Sequence, residues 1–123
     1  MRNRLIFVAF VAALVTPALP ASAAPLPKPA IFGVCAACHK TDKGAPNGIG
    51  PNLYGISGET AGEVPGFAFS PAMKKSGIKW TRPNLIKFIM SPQATVPGTR
   101  MPFMGLKNQQ SAEQVADYIL SLK

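Results

Sequence analysis

A chain of 123 residues has room for one domain, and with 13 basic against 5 acidic residues it carries a formal charge of +8. It has a single histidine and two cysteines, and no acid–base or nucleophilic constellation separate from them stands out in the sequence. The 11 glycines and 13 prolines leave little room for long regular elements.

The first segment, "MRNRLIFVAFVAALVTPALPASAA", sets Arg2 and Arg4 before an apolar run from Leu5 to Val15, then Pro17, Pro20 and small residues suited to a signal peptidase. The run falls short of the ~20 apolar residues that span a bilayer, so export fits better than a retained anchor. We expect a cleaved signal peptide over residues 1–23 and a functional domain over 24–123. Losing Arg2 and Arg4 leaves 11 basic against 5 acidic residues, a charge of +6.

A short helix is predicted from about Pro29 to Lys40, with Pro29 suited to a first helical turn. It carries "VCAACHK", in which Cys35 and Cys38 bracket two alanines and His39 follows at once. A disulfide is the plainest reading of two cysteines in an exported protein, and a thioredoxin-like redox pair shares the spacing. Both leave His39 unexplained, and the second needs β-branched strands that are missing after residue 24. The full C-x-x-C-H string is the attachment signature of a covalently bound haem. Two thiols on one helical turn can each add to a haem vinyl group, and the adjacent histidine then serves as an axial ligand.

From Thr41 to Phe69 the chain is dense in Gly, Pro and Asn and reads as a long loop with a task. Ser70 and Pro71 open a helix of about 7 residues that Gly77 stops. Thr81 caps a second helix, "RPNLIKFIM", ended by Ser91 and Pro92. Another loop, "SPQATVPGTRMPFMGLKN", precedes a last helix starting between Asn108 and Ser111, with Val115, Tyr118, Ile119 and Leu122 on one apolar face. The expected fold class is all-α: short helices and long loops wrapped around one covalently bound haem, whose apolar plate supplies the core that so irregular a chain lacks.

These motifs, in this order, resemble a class I cytochrome c of the bacterial kind close to the mitochondrial protein. The likeness runs from about Ile31 to Lys123. It rests on "CAACH", "GPNLYG" (residues 50–55), "VPGF" (64–67), "KW" (79–80) and "SPQATVPGTRMPF" (91–103). The resemblance implies thioethers at Cys35 and Cys38, one iron with His39 as proximal ligand, and Met101 as distal ligand. It also implies the Pro51 carbonyl orienting His39, Asn52 bracing the loops, Trp80 and Thr99 bonding a buried propionate, and Phe103 covering the haem. Met104, three residues beyond Met101, is the competing sulfur, while Met73 and Met90 fit core filler.

The function so implied is electron transfer by a periplasmic carrier cycling between ferric and ferrous states, not catalysis. One alternative is a haem subunit or dedicated electron acceptor of a periplasmic dehydrogenase; a second is a ligand-sensing or peroxidatic haem protein whose methionine comes off. The partners implied are redox proteins: a membrane quinol-oxidising complex or dehydrogenase as donor, an oxidase or reductase as acceptor. No nucleic acid, no stable membrane insertion and a monomeric state are expected. Family positions that ring the haem edge with lysines hold Val34, Gly48 and Gln93 here, with Arg100 and Lys107 left, so the docking face should be unusually apolar around Phe103 and Met104. No lysine lies between Pro92 and Leu106, so the lysine-for-methionine exchange known in the family at alkaline pH should be delayed.

Overall fold

Side-chain caps and prolines decide where the helices of this chain begin. The structure, a computed structural model, describes residues 11–123; the part of the expected signal peptide before Val11 lies outside them. A 3-10 turn over Ala30–Phe32 runs into α1 (Gly33–Ala36), followed by α2 (Pro71–Lys75), α3 (Arg82–Met90), α4 (Pro92–Thr95) and α5 (Gln109–Leu120). The hydroxyl of Ser70 accepts from the Met73 N–H at 3.1 Å to start α2, and the Asn108 side chain accepts from the Ser111 N–H at 2.9 Å to start α5. Thr81 caps α3 with Pro83 in its first turn. Among the described residues the one extended pairing is an isolated bridge between Thr60 and Lys79, so the fold is all-α, as expected.

Two elements differ from the expectation. The helix expected over Pro29–Lys40 ends at Ala36, and the Cys38 and His39 N–H groups share the Cys35 carbonyl at 3.0 Å in a last closing turn. That leaves the carbonyls of Cys38 and Lys40 free to accept from Gly50 and Leu53, each at 2.9 Å. The loop expected after Met90 contains α4. Ser91 breaks α3 with φ −151°, and Pro92, which needs no N–H partner in a first turn, opens the next helix.

The core lies between α3 and α5. Leu85, Ile86, Phe88 and Ile89 of α3 face Val115, Tyr118 and Ile119 of α5, all buried. Ala112 and Ala116, both without solvent contact, keep that face of α5 thin. Phe32 packs edge-on against Tyr118 with ring centroids 4.9 Å apart, which seats the first helical turns on the last helix. Ahead of them an extended strap crosses the end of α5, where the Leu26 N–H donates to the Ser121 hydroxyl at 2.9 Å. Outside the core, Arg82 of α3 grips Asp117 of α5 through two hydrogen bonds of 2.7 and 3.2 Å. From Val11 to Ala24 no helix forms, and Val11, Leu14, Val15 and Leu19 stand exposed.

Candidate haem site

The early end of α1 turns His39 toward the loop that follows. Its Nδ1 donates to the Pro51 carbonyl at 2.7 Å, which leaves the Nε2 lone pair free to bind a metal. Gly50 lies against the imidazole: a Cβ there would stand 2.7 Å from Nδ1 and 2.9 Å from Nε2. Burial lowers the His39 pKa against the opposing pull of the Pro51 hydrogen bond, favouring the neutral, ligating form. Cys35 and Cys38 are not joined to each other, and both lie half-buried beside His39, open to a bonding partner from outside the chain. Burial, and then the neighbouring Cys38, raise the Cys35 pKa.

The loop beneath this unit is knit by asparagines. Asn52 donates to the Asp42 and Ala45 carbonyls at 2.9 and 3.0 Å and accepts from the Tyr54 N–H at 3.0 Å. Its own N–H donates to the Asn47 side chain at 2.9 Å, and Asn47 in turn reaches the Pro65 carbonyl at 3.0 Å. Asn47 was not singled out in the sequence; an Asn in a Gly- and Pro-rich run is a weak signal of bracing.

Met101 stands on the second loop, half-buried against the core. The Met101 N–H donates to the hydroxyl of the buried Thr99 at 3.4 Å. Gln93, on α4, clamps the same loop: its amide donates to the Thr99 carbonyl at 2.9 Å and accepts from the Gly98 N–H at 3.4 Å. The sequence marked Gln93 only as a position without a lysine, and its bracing role depends on α4, which it did not reveal. Trp80 is buried with its ring 5.2 Å from that of Phe88. Phe103 is half-buried, whereas Met104 is 81% exposed. No hydrogen bond among the described residues joins the His39–Pro51 unit to the Met101–Thr99 unit.

This donor set suits haem rather than a bare ion. Among the described residues no three His, Cys, Asp or Glu side chains gather to hold a metal. A haem brings its own four nitrogens and asks the protein only for axial donors.

A family model described as cytochrome c matches residues 29–123. The chain is 43% identical over 95 residues to cytochrome c2 iso-2 of Magnetospirillum molischianum, covering 77% of this chain and 97% of that protein. It is 43% identical over 93 residues to cytochrome c2 of Rhodoblastus acidophilus, covering 76% and 87%. Among solved structures it is similar to cytochrome cH from Methylobacterium extorquens, with a TM-score of 0.67 and 39% identity over 72% of this chain and 88% of that one. The chain belongs to the cytochrome c family. Haem c, bound covalently through Cys35 and Cys38, is its cofactor, and electron transport is its work.

Proposed function

We propose that the protein is an exported, monomeric one-electron carrier of the periplasm, with His39 and Met101 as axial ligands and no enzymatic activity of its own. The hydrogen bond from His39 Nδ1 to the Pro51 carbonyl carries this reading, because it fixes the tautomer that presents Nε2 to iron. The haem supplies one-electron exchange between ferric and ferrous states. The chain's residues do the rest. Gly50 and Pro51 hold the imidazole in one orientation, and the loop clamped by Gln93 and Thr99 offers the Met101 thioether, a soft donor that raises the potential relative to a second histidine. Trp80 and Thr99 bond a propionate in this reading, Asn52 holds the loops, and Phe103 shields the methionine side. If His39 and Met101 both hold the iron, as proposed, the haem would have no open position for a substrate.

Export is supported by the charged, then apolar, then small-residue order of residues 1–23. No helix among the described residues is long and apolar enough to cross a membrane. The exposed apolar Val34 directly precedes Cys35, the exposed Ile49 directly precedes Gly50, the glycine that lies against the His39 ring, and Met104 follows Phe103. We assign them to the docking face for a redox partner whose rim is acidic, to match the +6 charge, and whose centre is apolar. The test is electron transfer by the purified protein loaded with haem, with carbon monoxide added to its ferrous form at neutral pH. A carrier exchanges electrons rapidly and refuses carbon monoxide. Ready binding of carbon monoxide would show an open position and reject it.

A further inference from the structure

The methionines of the described residues differ sharply in access. Met73 is 6% exposed, Met90 and Met101 are half-buried against the core, and Met104 is 81% exposed. A flexible tip does not explain the exposure, because the backbone on its C-terminal side is fixed. Gly105, at φ +96°, presses against the end of α3, where a Cβ would stand 2.6 Å from the Met90 carbonyl carbon. The Leu106 N–H donates to the Ile89 carbonyl at 3.0 Å, and the Lys107 ammonium donates to the carbonyl of Met104 itself at 2.7 Å. The side chain so presented borders a shallow cleft of about 200 Å³ that it shares with Pro92, Gln93, Phe103 and Lys107. Methionine serves proteins mainly as a flexible core filler, a use that Met73 fits and Met104 does not.

A solvent-facing thioether is the methionine that oxidants reach first, and its sulfoxide is polar and enzymatically reversible. We propose that Met104 is a site of reversible oxidation, at which a peroxide converts the apolar centre of the docking face into a polar one and slows electron exchange with the partner. The proposal rests on the docking face described above. In the reaction the sulfur lone pair attacks one peroxide oxygen, an S–O bond forms and the O–O bond breaks. The other oxygen leaves as hydroxide, which takes the proton from the new S–OH group, so that the products are the sulfoxide and one water. The sulfur loses two electrons and the peroxide gains them. The protein's charge is unchanged, so the effect falls on apolar contact and not on electrostatic steering. The new S=O oxygen is a strong acceptor in the same cleft as the Lys107 ammonium, which favours a rearranged, hydrated surface.

The experiment treats the haem-loaded protein with hydrogen peroxide, quenches with catalase, and locates the added oxygen by fragmentation mass spectrometry. Met101 and Met104 share the tryptic peptide 101–107, and fragmentation separates them. Oxidation of Met104 at least roughly tenfold faster than of Met73, Met90 or Met101 is expected, since access sets the order. Electron transfer to a solubilised haem–copper oxidase should then fall roughly two- to fivefold, while transfer to ferricyanide, which needs no docked complex, stays the same. Met104→Leu should show no peroxide sensitivity relative to its own untreated rate. Earlier oxidation of another methionine overturns the site. Selective oxidation with an unchanged oxidase rate overturns the switch; in that case Met104→Ala decides about the docking face, which stands if the untreated variant is slow with oxidase and falls if it is not.

Discussion

Gly50 is a glycine because His39 fills the space a side chain would need. Its N–H donates to the Cys38 carbonyl at 2.9 Å, so the turn cannot move aside without releasing the end of the haem-binding motif. Gly50→Ala would force a methyl group into the ring and tip Nδ1 off the Pro51 carbonyl. We expect a loss of about 1–3 kcal/mol by guanidinium unfolding of the haem-loaded protein, the usual cost of overpacking. A normal unfolding midpoint with an unshifted potential would show that the ring has another support. Lys107 is a second case. It is the nearest lysine beyond Met101, and its ammonium is held by the Met104 carbonyl, so if Met101 is the iron ligand as proposed, Lys107 would have to leave that bond, lose its proton and pull the loop open to replace it. Arg100, closer in sequence, effectively never deprotonates. Methionine ligation should therefore persist to higher pH than is usual in the family, as followed by the sulfur-to-iron absorption band. A lysine-bound species forming at the usual family pH, and surviving in Lys107→Ala, would refute this.

Between elements, the junction of α3 and α5 is closed on its outer side by Arg82 and Asp117. The hydrogen bond from Arg82, with its positive charge, holds the Asp117 carboxyl below the ordinary range of about 3.9. A carboxylate whose folded pKa lies below its unfolded value adds stability above the unfolded pKa and loses it as the pH falls through the folded one. Asp117→Asn should therefore be less stable than the parent above about pH 4, and the two unfolding curves should converge in stronger acid. Because both side chains are near half exposed, added salt should shrink the difference. Parallel curves down to the lowest pH would mean the pair contributes nothing. These helices were also the most legible part of the sequence. Ser70 and Thr81 are caps that chemistry alone identifies, the start of α5 was bounded to Asn108–Ser111 and falls on an Asn108 cap, and α5 carries its apolar face at helical spacing. By contrast α4 spans four residues, too few for a period to register, and the same Ser-Pro that stops α3 starts it. α1 ends early because of hydrogen bonds to residues 50 and 53, and sequence-local reasoning has no access to such partners. The His39–Pro51 contact was legible only through the family motif, and the Gln93 clamp not at all.

For the molecule as a whole, charge and shape divide the work of recognition. Excess positive charge draws an acidic partner from a distance, but much of it sits on α2 and α3, at Lys74, Lys75, Arg82 and Lys87. Within residues 29–123 the large exposed apolar residues are Val34, Ile49 and Met104. Transfer to an acidic partner should thus show a shallow salt dependence, since steering needs charge at the contact itself. A steep fall in the bimolecular rate with added salt would contradict that face. All of this presupposes haem held by Cys35 and Cys38, with iron between His39 and Met101. The most direct test is the near-infrared absorption of the ferric protein, recorded for the parent, Met101→Ala and Met104→Ala. The account predicts a sulfur-to-iron band in the parent and in Met104→Ala and its loss in Met101→Ala, with haem still attached after denaturation in all three. A band that survives in Met101→Ala and vanishes in Met104→Ala would contradict it.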